Sequence, residues 1–232
     1  MRLRSAIVYS ALLASTVTVF AMGGAPGRAK FTRDEIQDDF RILRAALEEG
    51  HPGIYRFTSK DQMDGVFEQA ARCLDHAMDA YEFFRFLSTV VAPIKCGHTE
   101  VLLPEESLRE VDDRESFLPL QVRLLDLKVY VVRDLANADN RLAAREILSV
   151  NGVPTPVIVA MMLMMTPGDG DIITSRQLAI GGLRFAQNLV TLLGLRSPYH
   201  LRVEDHETHE VESVRLSGSS LSDLREIVKA RS

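Results

Sequence analysis

The stretch Glu146-Ile147-Leu148-Ser149-Val150-Asn151-Gly152-Val153-Pro154 reads as a strand, a turn and the opening of a helix. Glu146 to Val150 is short, apolar and β-branched, as a buried strand is. Asn151-Gly152 is the pair favoured by two-residue hairpin turns, whose central positions both need a positive φ. From Pro154 the periodicity turns helical and runs through Met161 to Met165. Those methionines are read as filling core gaps, since an unbranched thioether adapts to irregular space.

Working outward, further strands are expected at Val101-Leu102-Leu103, Leu118 to Leu124 and Val129 to Val132. Tyr199 to Val203 and Val211 to Leu216 form a hairpin around a polar tip. Between them lies the loop Pro167-Gly168-Asp169-Gly170, then a helix capped by Thr174 or Ser175 that reaches about Leu193 and stops at Gly194. Ser222-Asp223 opens a last amphipathic segment through Leu224, Ile227 and Val228, expected to pack only against a partner. Toward the N-terminus the period is helical instead. Thr32 with Glu35 is a capping box ahead of Ile36, Phe40, Leu43 and Leu47. Thr58 or Ser59 opens a second helix through Met63, Phe67 and Leu74, and Asp79 with Glu82 opens a third that runs to Pro93. The expected class is α+β: a three-helix region followed by a β-rich domain with two helices.

The chain has 232 residues, 46% hydrophobic and 25% charged, with a formal net charge of -5. That mix belongs to an ordinary globular protein and excludes disorder. It also argues against nucleic acid as a partner, which needs a basic patch to displace counterions. Arg2 and Arg4 precede a nearly uncharged run from Ala6 to Met22, followed by small residues. Residues 1–23 therefore read as a signal peptide, with an uncleaved anchor as the rival. Cleavage would remove two arginines and no acid, deepening the charge from -5 to -7. It would give a periplasmic or secreted protein with no stable membrane span. Cys73 and Cys96 are the only cysteines; they are read as two buried thiols, with a disulfide as the alternative.

For chemistry, Cys96-Gly97-His98-Thr99 is the most informative motif. The glycine permits a sharp turn that holds the imidazole of His98 out at an edge. An imidazole takes a proton near neutral pH, as a serine nucleophile requires. The plainer alternative is a histidine satisfied by a backbone carbonyl. His206 and His209 straddle the hairpin tip, and Gly168-Asp169-Gly170-Asp171 lacks calcium-loop spacing, so no metal and no cofactor are expected.

Glu48-Glu49-Gly50-His51-Pro52-Gly53, Gly97-His98-Thr99, Pro119-Leu120 and Ser149-Val150-Asn151-Gly152-Val153-Pro154, in that order, resemble the tail-specific, or C-terminal processing, serine peptidases. The resemblance covers about Phe31 to Leu224. It implies a helical N-terminal domain at 30–98, a PDZ-like domain at 99–217 and a C-terminal segment at 218–232. It implies the general-base position for His98, and binding roles for Gly97, Thr99, Val150, Asn151 and Gly152. The partner it implies is a peptide or protein substrate. The chain departs from the family in carrying Cys96 before the Gly-His pair, and Ala144-Arg145 ahead of Glu146. It also lacks the family's later nucleophile domain: Ser217-Gly218-Ser219-Ser220 has no Gly-x-Ser-x-Gly frame. The resemblance thus implies the forward portion of a peptidase, inactive alone and either truncated or served by a separately encoded catalytic core. The alternative is a non-enzymatic periplasmic peptide- or protein-binding or regulatory module.

Overall fold

The computed structural model describes residues 30–231. The signal-peptide reading of residues 1–23 lies outside them. Three capped helices open the described chain: α1 (Arg33–Gly50), α2 (Lys60–Cys73) and α3 (Ala80–Val91). Each N-cap expected from the sequence is present as a reciprocal box: Thr32 with Glu35, Ser59 with Gln62 and Asp79 with Glu82. A box satisfies orphan N–H donors from both sides and so fixes where a helix starts. A short antiparallel pair, β1 (Lys30–Phe31) with β2 (Met78–Asp79), ties the entry of α1 to that of α3. Ile36, Phe40, Leu47, Met63, Phe67, Val90 and Val91 bury together in one core. Phe40 meets Phe67 and Phe86 edge-on, with ring centroids 6.4 and 6.1 Å apart.

The second core lies under a six-stranded antiparallel sheet. Its strands are β3 (Leu120–Leu125), β4 (Lys128–Asp134), β5 (Glu146–Val150), β6 (Val153–Pro154), β7 (Tyr199–Glu204) and β8 (Val211–Leu216). The order is β3-β4-β5-β7-β8, with β6 paired to β5. Along β7, Tyr199, Leu201 and Val203 are buried while His200 and Arg202 face out, the alternation of a half-covered sheet. Helices α5 (Thr155–Met165), α6 (Ile173–Ile180), α7 (Arg184–Thr191) and α8 (Leu221–Ala230) contribute to that core. Helix α3 belongs to both cores: Tyr81 packs under the sheet, whereas Val90 and Val91 lie among the N-terminal helices.

The α+β class holds, with four local corrections. Val101 to Leu103 is not a strand; Leu102 is exposed, while Leu103 is buried and half-buried Val101 packs against the helical core. The next element is instead helix α4 (Glu105–Arg114), which buries only Val111 and is laced by Arg109–Glu105 and Arg114–Glu110 pairs. An apolar period cannot reveal such a helix. The expected single helix to Leu193 is two, α6 and α7, and Ile172 rather than Thr174 or Ser175 precedes the first. The chain breaks there because the N–H of Gly182 donates to the Val122 carbonyl of β3, at 2.8 Å. Finally, the last segment needs no partner to pack: Leu221 and Leu224 are buried in the sheet core. Cys73 and Cys96 are free thiols, each half-buried.

Candidate functional site

The 3-10 turn Ala92–Ile94 ends at Lys95, whose φ of 57° turns the chain sharply outward. The N–H of Thr99 then donates to the Cys96 carbonyl, at 3.1 Å, closing a turn with Gly97 and His98 exposed at its tip. The imidazole of His98 has no hydrogen-bond partner among the described residues. The junction is therefore a braced loop, not the direct hand-over to a strand that the sequence suggested.

Two loops brace it. From the end of α1, His51 Nε2 lies 2.8 Å from the Thr99 hydroxyl, and the N–H of Gly53 donates to His51 Nδ1, at 3.1 Å. Nδ1 must keep its lone pair to accept that bond. The neutral ring therefore carries its proton on Nε2 and donates to Thr99. From the other side comes the loop after α5. Asp169 Oδ1 accepts from the N–H of Gly97, at 2.8 Å, and the N–H of Gly170 donates to the Lys95 carbonyl, at 2.9 Å. A Cβ on Gly97 would sit 3.1 to 3.3 Å from the Asp169 carboxylate, so a larger residue there would push that carboxylate back by a few tenths of an ångström. Lys95 pairs with Asp171, and its hydrogen bond and charge hold the Asp171 carboxyl below the usual carboxylate range. Thus His51-Pro52-Gly53, Gly97-His98-Thr99 and Gly168-Asp169-Gly170-Asp171, separated in sequence, meet at one place. Sequence reading treated the aspartate loop only as a failed calcium site and missed its clamp on the turn.

The remaining sequence-derived residues sit on the sheet. Val150 is fully buried. Asn151, at φ 49°, accepts from the His200 N–H at 2.7 Å and donates to the Arg196 carbonyl at 2.9 Å. Its side chain pins the β5–β6 turn to the approach of β7. Gly152 lines a shallow groove on the outer sheet face. No hydrogen bond joins this turn to the Gly97-His98-Thr99 turn among the described residues. Along the β3 edge, Gln121 to Leu124 and Gln177, Leu178 and Gly181 border a second groove of about 220 Å³. Leu178 is 75% exposed, and Gln121 Oε1 is shielded from water without a partner.

The architecture is shared with CPAF. That protein is a chlamydial serine protease of the tail-specific type. Mature CPAF superposes with a TM-score of 0.52 at 14% identity, over 80% of this chain and 34% of its own. A serine-to-alanine mutant of CPAF gives the same figures. The chain thus spans about a third of the length of the structures it matches, and the relationship is distant. At that identity the likeness is one of fold. No family profile matches the sequence, and no curated protein matches it.

Proposed function

We propose that this chain is the base-bearing and substrate-recruiting part of a tail-specific-type serine peptidase. The observation that carries the reading is His98, exposed and unpartnered at the tip of a turn clamped from both sides. An imidazole held this way can take the proton of an approaching serine hydroxyl while its own position is fixed by the braces on Gly97 and Thr99. The likeness in fold to CPAF supports a peptidase-related module. In this reading the protein is exported, the region 99–217 works as a PDZ-like recruiter of peptide or protein, and the serine nucleophile belongs to a catalytic core outside residues 30–231. The serines near the C-terminal segment have other duties. Ser219 bridges to Phe117, and Ser220 caps α8 by accepting from the Asp223 N–H at 3.1 Å.

A second reading, a non-enzymatic peptide-binding module, is favoured by the β3 edge. Its groove beside exposed Leu178 suits an extended peptide held mainly by its side chains, since the Gly182 N–H already takes the Val122 carbonyl of that edge. One experiment separates the two. The chain is used as bait in a native periplasmic extract, and the recovered proteins are treated with a fluorophosphonate serine probe. The purified chain alone should take up no label, while a co-recovered protein should label, and His98→Ala bait should recover it without labelling. Stoichiometric labelling of the chain itself, or unchanged labelling with the His98→Ala bait, overturns the first reading.

A further inference from the structure

The outer face of β7 and β8 carries a cluster that no linear scan reveals. His200 and Arg202 lie two apart on β7 and so point to the same side. In the register, His200 stands opposite Arg215 and Arg202 opposite Ser213, while Ser149 of β5 flanks Arg202. All of these except half-buried Ser149 are exposed. With Gly152 they border a groove of about 280 Å³. Arg202 and Arg215 stand diagonally across the two strands, within reach of each other as long side chains, so their like charges favour an anion between them.

Among the described residues no acid fills that place. Glu204, farther along the same face, pairs with His209; Asp205 pairs with Arg145; Glu212 pairs with Arg141 and Arg145. Neither Arg202 nor Arg215 has an ion-pair partner among the described residues. In a chain of net charge -5, this unneutralised cluster is a local inversion of sign.

We propose that this face binds an acidic polypeptide segment, with Arg202 and Arg215 gripping carboxylates and Ser149 and Ser213 donating hydroxyl hydrogen bonds. Guanidinium forks match carboxylates two bonds at a time. The size of the cluster selects the partner class. Two arginines and a histidine are too few for nucleic acid, whose binders neutralise roughly six to ten phosphates. They are also fewer than the four to eight basic residues, in order of magnitude, of an anionic membrane patch. A pair of carboxylates on an extended chain, whose alternate side chains lie about 7 Å apart, fits diagonal arginines on neighbouring strands. The proposal is independent of any role for His98.

The test is fluorescence anisotropy of a fluorescein-labelled hexaglutamate peptide with the full chain at low salt. Binding is expected, and Arg202→Gln/Arg215→Gln should weaken it by at least about tenfold, as loss of charge-assisted hydrogen bonds requires. Arg33→Gln/Arg72→Gln changes the net charge equally on exposed helix positions and should leave binding intact. Both pairs are exposed, so circular dichroism should show native folding in each variant. Failure of the native chain to bind hexaglutamate overturns the proposal, as does equal weakening in the two double variants. Tighter binding of a six-nucleotide single-stranded DNA than of hexaglutamate overturns the assignment to polypeptide.

Discussion

Leu127 shows what a single side chain can cost. The β3–β4 turn is Asp126-Leu127, with φ values of 50° and 67°, so both residues stand in the left-handed region. That region costs an L-residue with a Cβ roughly 1 to 2 kcal/mol, and leucine has no local hydrogen bond to offset it. The residue is 41% exposed, so its burial offsets that cost only in part. Leu127→Gly should raise stability by about 0.5–1 kcal/mol, after allowing for glycine's greater freedom in the unfolded chain. Calorimetry should register that as an upward shift in Tm of about 2 °C; a fall would mean that the leucine packs more than its exposure indicates. Asn151-Gly152 is the opposite case. There the sequence places the residues that the geometry wants, and the turn was legible for that reason. His98 was legible as a position, because Gly97 and Thr99 flank it. Its braces were not, because Asp169 and His51 lie far away in the chain and a single side chain leaves no periodic trace.

Among elements, α8 is the most instructive. Its spacing of Leu224, Ile227 and Val228 shows an apolar stripe, but a stripe does not name what covers it. The sheet core covers it: Leu221 and Leu224 are 1% and 0% exposed. Arg231 also donates to the Asp134 carbonyl, at 3.0 Å. Leu224→Ala should therefore cost about 2–4 kcal/mol through lost burial and the cavity left behind. Urea titration of the purified chain measures it, and a cost near zero would restore the expectation that this segment waits for a partner. Helix α4 teaches the converse. With Val111 as its only buried residue it depends on i,i+4 ion pairs and on its Pro104 start, so a scan for apolar period passes it by. The separation of α6 from α7 has a tertiary cause too, the Gly182–Val122 backbone bond to β3.

Across the whole molecule, two cores are joined through α3. Its first turn lends Tyr81 to the sheet core, and the Tyr81 hydroxyl donates to the Ser107 carbonyl at 2.6 Å. Its last turn lends Val90 and Val91 to the helical core. One rigid helix shared by two cores couples their unfolding, because neither core can open without disturbing that helix. Phe40→Ala, a change buried wholly in the helical core, should cost about 3–5 kcal/mol and lower a single transition for the whole chain. Scanning calorimetry with far-ultraviolet circular dichroism checks this. Two separated transitions, with only the first displaced, would mean that the cores unfold independently.

The amino-acid sequence alone determined the α+β class, the three capped helices, most of the strands and the turn that carries His98. Each of these is set by neighbours a few residues apart, through capping boxes, turn pairs and periods of about 3.6 and 2 residues. Tertiary structure decided what those elements do to one another. It brought Asp169 and His51 onto the turn of His98, drew α8 into the sheet core and split α6 from α7. It also set Arg215 opposite His200 across two strands. Such contacts depend on register and packing between distant segments, where a hydrogen bond or a charge pair at one position follows from the whole fold.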